Sequence, residues 1–262
     1  MLAGCLGAQQ LRDIEFARVD DVALTLDAHV PEGAGPFAAV IVVHGGGFVA
    51  GDKQTYVKPL FEPLTRAGFA WFTINYRLAP RHRFPAAVED VERAFDYVRS
   101  HARQYKVAPD RIALVGESAG GHLVSFVGAR GGVRPAAVVS FYGPHDFEAR
   151  ARQQGEISKT TQAFLGVAAF DAPGLARLRE ASPITHVRAG MPPFLLIHGT
   201  EDRAVPHDQS LRMCEAMRKA GARCEVFTLE GAAHGVENWE KNPAFHTYKA
   251  KMIEWLKAVL EP

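Results

Sequence analysis

Short apolar runs alternate along the chain with stretches whose apolar residues recur at helical spacing. The β-type runs lie at residues 22–29, 38–43, 70–75, 112–115, 137–141, 194–198 and 224–229. Helical patterns lie at residues 85–101, 122–127, 209–220 and 245–260. Strands that alternate with helices predict an α/β fold in which a mostly parallel sheet is covered by helices on both faces.

Two segments depart from this alternation. Residues 143–187 are rich in Ala, Arg, Gln and Gly, and we predict a short helical insertion there that helps to shape a pocket. Residues 1–20 form an N-terminal segment that leads into a turn at Asp20-Asp21, typical of an antiparallel edge. No repeat, low-complexity tract or linker interrupts residues 21–262, which predicts a single domain over that range.

The first residues and the cysteines bear on export. Leu2-Ala3-Gly4-Cys5 resembles the end of a bacterial lipoprotein signal, although the charged and apolar regions that precede such a box are missing. Residues 1–20 are therefore either the remnant of an export signal or a chance match. Cys214 and Cys224 bracket a predicted helix-to-strand turn, where a local disulfide and two buried thiols fit equally well. Together these features favour an exported protein, whether periplasmic, secreted or lipid-anchored, over a cytoplasmic one.

The composition narrows the classes of partner. The 262 residues are 47% hydrophobic, and 30 Lys and Arg nearly balance 29 Asp and Glu. No field of one sign is therefore available to attract nucleic acid or an anionic membrane, and the longest apolar run, residues 38–43, is too short to span a bilayer. Neither an H-E-x-x-H motif nor a Cys/His cluster suggests zinc. We expect a small or neutral partner and no metal or organic cofactor, and the oligomeric state stays open.

The strongest chemical signal is Gly116-Glu117-Ser118-Ala119-Gly120-Gly121, which follows a β-type run and opens a helical pattern. It matches the G-x-S-x-G nucleophile elbow of α/β-hydrolases in its strand-turn-helix setting. The turn is so tight that the residues two before and two after the serine must be small, as Gly116 and Gly120 are. An ordinary glycine-rich turn with a capping serine would explain this segment taken alone, but the motifs below favour a nucleophilic Ser118.

A second glycine motif, His44-Gly45-Gly46-Gly47-Phe48, directly follows an earlier β-type run. Ester hydrolysis passes through a tetrahedral oxyanion, and bare glycine N–H groups approach that oxygen without steric obstruction. HGGG segments of lipases and esterases occupy this loop. We therefore expect the N–H groups of Gly46, Gly47 and Ala119 to form an oxyanion hole, while His44 holds the loop by hydrogen bonding. The two common phosphate-loop patterns, G-x-G-x-x-G and G-x-x-x-x-G-K-[ST], are absent.

The remaining catalytic groups are predicted from chain order, which in α/β-hydrolases runs serine, acid, histidine, each after a strand. Glu201 and Asp202 both follow the sixth β-type run, and spacing alone excludes neither as the acid. His234 follows the seventh run in a loop of small residues, where its ring is best placed to turn towards Ser118. It would take the serine proton and later pass a proton to the departing alkoxide.

On these motifs the chain resembles the esterases related to hormone-sensitive lipase and the bacterial acetylxylan and feruloyl esterases close to them. The matching segments are residues 44–48 with Gly51, 75–80, 84–90, 116–121, 198–206 and 231–235. The resemblance implies that Asp202 is the acid, because Asp202-Arg203-Ala204-Val205-Pro206 matches the D-x-x-V-P segment of that family. It also implies that residues 75–80 brace the loops beside the site.

Two departures from the family pattern affect the expected substrate. Members usually carry Asp where this chain has Glu117, and they carry an N-terminal pair of cap helices for which too few residues precede the first run. An uncapped site favours bulky, exposed esters, such as acetyl or feruloyl groups on plant polysaccharide, over long-chain lipids. Candidate apolar walls of the substrate pocket are then Phe48, Phe147, Phe164 and Phe170, although core packing explains any one of them as well.

The resemblance thus implies an α/β-hydrolase catalytic domain over residues 21–262, without a large cap. It would cleave short-chain or aromatic acyl esters, of a small molecule or a polysaccharide, through Ser118, Asp202 and His234. Two other functions use the same fold. A serine peptidase of the prolyl-oligopeptidase type shares the elbow, but it typically adds a large propeller and builds part of its oxyanion hole from a tyrosine. A non-catalytic binding protein usually lacks a triad member, whereas all three are present here.

Overall fold

The computed structural model describes residues 7–260, so the Leu2-Ala3-Gly4-Cys5 box lies outside the described residues. Within this range eight strands form one sheet in the order β1-β2-β4-β3-β5-β6-β7-β8. They are β1 (Gln9–Val19), β2 (Val22–Val30), β3 (Phe37–Val43), β4 (Ala70–Ile74), β5 (Val107–Glu117), β6 (Ala137–Phe141), β7 (Phe194–Gly199) and β8 (Cys224–Leu229). The β1·β2 and β2·β4 pairs are antiparallel, and the remaining pairs are parallel.

Helices cover both faces of this sheet. They are α1 (Lys58–Arg66), α2 (Ala86–Ser100), α3 (Ala119–Arg130), α4 (Phe147–Gln154), α5 (Lys159–Leu165), α6 (Ala172–Glu180), α7 (Asp208–Lys219), α8 (Val236–Trp239) and α9 (Thr247–Leu260). Over residues 7–260, no helix combines the length and apolar character that crossing a membrane requires. One apolar cluster includes Val91 of α2 and Leu123 of α3, and the other includes Leu60 of α1 and Met252 of α9. The predicted α/β-hydrolase fold, with two helical layers around a mostly parallel sheet, is confirmed.

The sheet begins earlier than the sequence pattern indicates. Residues 9–19, which the pattern assigned to a separate N-terminal segment, form β1 and pair with β2 through the following turn. The register of this pair shifts between Leu11 and Ile14, and such an irregularity breaks the alternation by which a strand is recognised in sequence. A boundary at residue 21 therefore divides a hairpin, and the antiparallel edge extends back to Gln9.

Residues 143–187 connect β6 to β7 and contain α4, α5, α6 and a 3₁₀ turn at Pro183–His186. Each α-helix begins at a side chain that accepts a backbone N–H of its first turn, namely Asp146, Ser158 and Asp171. Helices this short are unstable alone, so the caps and their packing against the rest of the domain hold them. Within residues 7–260 no helix precedes β3, and the described chain carries no large cap.

A disulfide joins Cys214 of α7 to Cys224 at the start of β8, with their Cα atoms 5.4 Å apart. The sequence left a disulfide and two buried thiols equally open at these positions, and the structure contains the disulfide. Since β8 is one of the two edge strands of the sheet, the crosslink ties that edge to the helix that precedes it.

Candidate active site

Ser118 lies at the sharp turn between β5 and α3. Its backbone adopts φ 53° and ψ −116°, a conformation that costs a non-glycine residue about 1–3 kcal/mol. The neighbours make the turn possible, because a Cβ at Gly116 would collide with the Gly120 carbonyl and a Cβ at Gly120 with the Val43 carbonyl. The turn leaves Ser118 lining an open cleft.

Two hydrogen bonds connect Ser118, His234 and Asp202, which lie in three loops far apart in the chain. The Ser118 hydroxyl donates to Nε2 of His234 across 3.0 Å, and Nδ1 of His234 donates to Oδ2 of Asp202 across 2.6 Å. The His234 side chain is 27% exposed and that of Asp202 is 0% exposed, so the histidine faces the cleft and the acid lies behind it. Glu201, the other acid that spacing allowed, points into solvent. The structure thus brings together the three residues expected from motif, chain order and family resemblance.

The buried carboxylate of Asp202 is held by hydrogen bonds on both oxygens. Oδ1 accepts the N–H groups of Ala204 and Val205 at 2.9 and 2.8 Å, and Oδ2 faces Nε2 of His198 at 3.4 Å. Burial by itself would raise the pKa of Asp202, but the hydrogen bonds from His198 and His234 and the charge of His234 outweigh burial and hold this pKa well below its usual range. Asp202 is therefore an anion at neutral pH, as a residue that orients a histidine and stabilises its charge must be.

The glycine loop after β3 is held from behind by two aromatic residues. Nδ1 of buried His44 donates to the Gly45 carbonyl across 2.7 Å, and the Tyr76 hydroxyl lies 3.1 Å from the carbonyl oxygens of both residues. The rings of His44 and Tyr76 stack at 4.3 Å. Burial lowers the pKa of His44 to about 4, so the ring is neutral near pH 7 and holds the loop without titrating there.

The predicted oxyanion donors lie near Ser118, either in the same cleft or next to it in the chain. Gly46 and Gly47 line the same cleft as the serine and have φ values of 98° and 62°, which favour glycine. A Cβ at Gly46 would also collide with the Ala50 carbonyl. Ala119 is the first residue of α3, where backbone N–H groups lack a partner within the helix. Two of the three predicted donors therefore line the cleft, and the third directly follows Ser118 in the chain.

The cleft has a volume of about 310 Å³ and includes residues that no sequence motif indicated. Its lining consists of Gly46, Gly47, Tyr56, Glu117, Ser118 and residues 234–238. Tyr56 is 39% exposed, and Glu237 and Asn238 of α8 are also exposed. These three side chains join the site only in space, since Tyr56 lies in the irregular segment before α1 and carries no recognisable pattern.

The phenylalanines expected to wall the pocket lie elsewhere. Phe48, Phe147 and Phe164 are 3%, 2% and 1% exposed, and none of them lines the cleft. Phe48 stacks on Phe164 with ring centroids 3.9 Å apart, and both rings contact the ring of His122. Phe170 is 44% exposed and lies under the guanidinium of Arg152. The expectation is corrected: three of the rings pack in the core, because the turn after Gly47 points Phe48 inward to meet α4 and α5.

A second group of serine and histidine side chains lies near the site. Nε2 of His145 is 3.1 Å from Oγ of Ser125 and 3.3 Å from Oγ of Ser140. All three residues are 0% exposed and none lines the cleft. A substrate has no route to these hydroxyls, so the group is a hydrogen-bonded part of the core.

Buried histidines predict a loss of stability in acid. Burial lowers the pKa of His122 to about 3, below its ordinary 6.5. Between these two pH values the histidine binds a proton in the unfolded chain and stays neutral in the folded chain. The stabilising contribution is complete above pH 6.5 and is lost as the pH falls towards 3. We expect His122→Phe, which removes this group from an aromatic cluster, to make the decline of unfolding free energy with falling pH shallower by about one proton.

Urea unfolding of the wild type and of His122→Phe at pH 7.5, 6.5 and 5.5 measures how steeply the unfolding free energy changes with pH. His246→Asn changes a histidine whose side chain is 39% exposed and serves as the control, with the wild-type slope expected. An unchanged slope in His122→Phe would show that His122 is not the group responsible. At pH 7.5 the variant loses the hydrogen bond from Nε2 to the Ala181 carbonyl, which costs about 1 kcal/mol.

Comparison with known proteins identifies the family of this chain. The sequence model of the BD-FAE family matches residues 26–217, which is most of the chain. The chain belongs to the BD-FAE family. Among curated relatives, the probable carboxylic ester hydrolase LipM of Mycobacterium tuberculosis is 31% identical over 78% of this chain and 51% of its own length. The acetylxylan esterase of Xylanibacter ruminicola is 29% identical over 100% of this chain and 54% of its own length. This member of the BD-FAE family spans about half the length of the curated relatives it matches.

Solved structures agree with this family assignment. A truncated form of a carbohydrate esterase from gut microbiota superposes with a TM-score of 0.86 at 25% identity, covering 99% of both chains. A thermophilic esterase from Thermogutta terrifontis superposes with a TM-score of 0.79 at 28% identity, covering 98% of this chain and 95% of its own. The family model, the fold and these structures agree, and the relatives named here are esterases and carboxylic ester hydrolases.

Proposed function

We propose that the protein hydrolyses carboxylic esters with Ser118 as the nucleophile, His234 as the general base and acid, and Asp202 as the residue that orients the histidine. The observation that carries the proposal is the pair of hydrogen bonds, 3.0 and 2.6 Å long, that run from the Ser118 hydroxyl through His234 to Asp202. The relay opens into a cleft that Gly46 and Gly47 also line. A nucleophile and a base at the same cleft as two of the proposed oxyanion donors support acyl transfer, which requires these three groups together.

The proposed reaction has two acyl-transfer steps. As the Ser118 oxygen attacks the ester carbonyl, its proton moves to Nε2 of His234, and the N–H groups of Gly46, Gly47 and Ala119 receive the negative oxygen. The C–O bond to the alcohol then breaks, and the imidazolium protonates the departing alkoxide. Water repeats the sequence on the acyl-enzyme, which releases the acid and restores the Ser118 hydroxyl.

The site supports a polyhydroxylated alcohol as one half of the ester. Because His234 must protonate the leaving oxygen, the alcohol lies on the histidine side of Ser118. The wall on that side is α8, with the exposed Glu237 and Asn238, and Tyr56 stands at the same cleft with 39% of its surface exposed. Carboxylate and amide groups bind hydroxyls, and a tyrosine ring packs on the apolar face of a sugar. With the acetylxylan and carbohydrate esterases among the relatives, we propose short-chain or aromatic acyl esters of plant polysaccharide, such as acetyl or feruloyl esters.

A panel of esters tests this function. Turnover is measured for acetate, butyrate and laurate esters of p-nitrophenol, for methyl ferulate and for acetylated xylan. A prolyl peptide amide is the comparison substrate. Rapid turnover of acetate or ferulate and none of the peptide is expected. If no ester is cleaved, ester hydrolysis is wrong, and if laurate is the best substrate, the assignment of the acyl group is wrong.

Replacing Tyr56 tests the alcohol side separately. Tyr56→Ala is expected to raise KM for an acetylated xylo-oligosaccharide by roughly five-fold, since about 1 kcal/mol of ring contact is lost. Turnover of methyl acetate, whose alcohol is too small to reach the ring, should stay at the wild-type level. Phe170→Ala, which removes an exposed ring outside the cleft, is the matched control and should change neither. Equal effects of Tyr56→Ala on both substrates would contradict a sugar subsite.

A further inference from the structure

Glu117 is a buried carboxylate directly before Ser118 with no role in the reaction described above. It is 4% exposed, and its Oε1 is buried and forms no hydrogen bond within residues 7–260. The same side chain lines the cleft with Ser118 and His234. An incompletely paired carboxylate in a buried site is costly, so its position beside the reacting atoms requires an explanation.

One side of the carboxylate packs on the glycine loop. A Cβ at Gly45 would lie 2.7 Å from Cδ of Glu117, so only glycine lets the loop approach this closely. The Gly45 N–H also faces the carboxylate, while the Gly45 carbonyl is held by His44 and Tyr76. Glu117 therefore supports the residue that immediately precedes the proposed oxyanion donors.

The other side of the carboxylate faces the loop that carries His234. The Tyr142 hydroxyl lies beside Glu117 and accepts the N–H of Val236 across 2.8 Å. The Tyr142 ring lies 4.5 Å from the ring of His234. Glu117 thus lies between the glycine loop that carries Gly45 and the loop that carries His234, which are far apart in the chain.

The groups that face Glu117 decide the charge it carries. Burial raises its pKa to about 7, against the opposing effects of the His234 charge, the Gly45 N–H and the Tyr142 hydroxyl. The other titratable groups that face it are Glu237, whose charge raises the Glu117 pKa further, and Tyr76. The carboxyl group is therefore neutral in mild acid and anionic in mild base.

We propose that Glu117 is a positioning residue whose anionic form acts through His234, favouring the imidazolium that forms as Ser118 attacks, while its side chain braces Gly45 and Tyr142. This inference rests on the proposed function of Ser118 and His234. The Glu117 carboxylate is buried and lines the same cleft as His234, and an anion near an imidazolium stabilises the charge that develops in the transition state. The neutral form keeps the packing and loses this electrostatic effect.

The pH dependence of one variant separates charge from packing. Glu117→Gln keeps the shape and removes the charge, so kcat/KM of the wild type and the variant for p-nitrophenyl acetate is measured between pH 5.5 and 8.5. The ratio of wild type to variant should rise from near 1 in acid to roughly ten-fold in base, with its midpoint near the pKa of about 7.

Two further variants make the result decisive. Glu92→Gln removes a half-buried carboxylate on α2 that also has a raised pKa and an Oε1 without a hydrogen bond to residues 7–260. This variant should give a ratio of 1 at every pH. Glu117→Asp should retain a pH-dependent advantage over Glu117→Gln. A ratio that does not change with pH would show that Glu117 acts only through packing. A ratio below 1 in base would show that its charge destabilises the oxyanion. Either result overturns the proposal. The proposed function fails separately, if the wild type cleaves no ester.

Discussion

Replacing Ser118 with alanine is expected to leave the protein folded and to lower kcat for p-nitrophenyl acetate by about 10⁵- to 10⁶-fold. In the proposed reaction the serine hydroxyl supplies both the attacking oxygen and the proton that His234 moves, so its loss disables the relay as a unit. Alanine fits the turn, because the strained backbone at φ 53° depends on Gly116 and Gly120 and not on the serine side chain. The remaining activity would come from the oxyanion donors and the cleft alone.

Two measurements check this expectation. Initial rates give kcat, and mass spectrometry after exposure to an organophosphate shows whether a single covalent adduct forms on Ser118 in the wild type and none in the variant. Ser125→Ala is the matched control, since Ser125 lies on α3 and approaches His145 in the core. It should retain activity and labelling. Substantial turnover by Ser118→Ala, or loss of activity in Ser125→Ala with labelling elsewhere, would place the nucleophile at another residue.

Replacing Asp202 with asparagine is expected to lower kcat by about 10⁴-fold with little effect on folding. The amide oxygen of the new side chain can still accept the N–H groups of Ala204 and Val205, which hold this loop in the wild type. The amide nitrogen, however, would donate where Oδ2 of the aspartate accepts from Nδ1 of His234. The histidine would then carry its proton on Nε2, where it cannot accept the proton of Ser118.

Glu201→Gln provides the comparison for this variant. Glu201 is adjacent in the chain and exposed, so removal of its charge should leave kcat close to that of the wild type. Parallel kcat measurements, with thermal unfolding of both variants, separate loss of catalysis from loss of fold. Similar losses in the two variants would contradict the assignment of Asp202 as the acid.

The sequence predicted the parts of the site that depend on local sterics. The turns at Ser118 and at Gly46 and Gly47 are possible only with glycine at defined positions, and those requirements are visible as motifs. The parallel core was also predicted from the sequence, because strand segments buried on both faces, such as β3 and residues 112–115 of β5, are continuous apolar runs. The sequence distinguished Asp202 from Glu201 as the proposed acid only through the family resemblance, since the two residues are adjacent in the chain.

Elements with irregular local patterns were not recognised. The register shifts of β1 interrupt its alternation, so the sequence indicated an antiparallel edge at the Asp20-Asp21 turn but no strand over residues 9–19. Helix α1 contains Pro63, which normally argues against a helix. In both cases tertiary pairing or packing outweighs a local preference. The residues that make those tertiary contacts are distant in the chain, so a short window of sequence does not reveal the effect.

The sequence by itself determined the fold class, the strained elbow and the glycine loop, because periodicity and steric fit act between residues close in the chain. Only the tertiary structure decided that Phe48, Phe147 and Phe164 pack in the core and that Tyr56 stands at the cleft. It alone placed Glu117 between the glycine loop and the histidine loop. These positions depend on how the crossovers of one sheet bring distant segments to the same edge, and the burial and charge that follow from such proximity have no local pattern in the sequence.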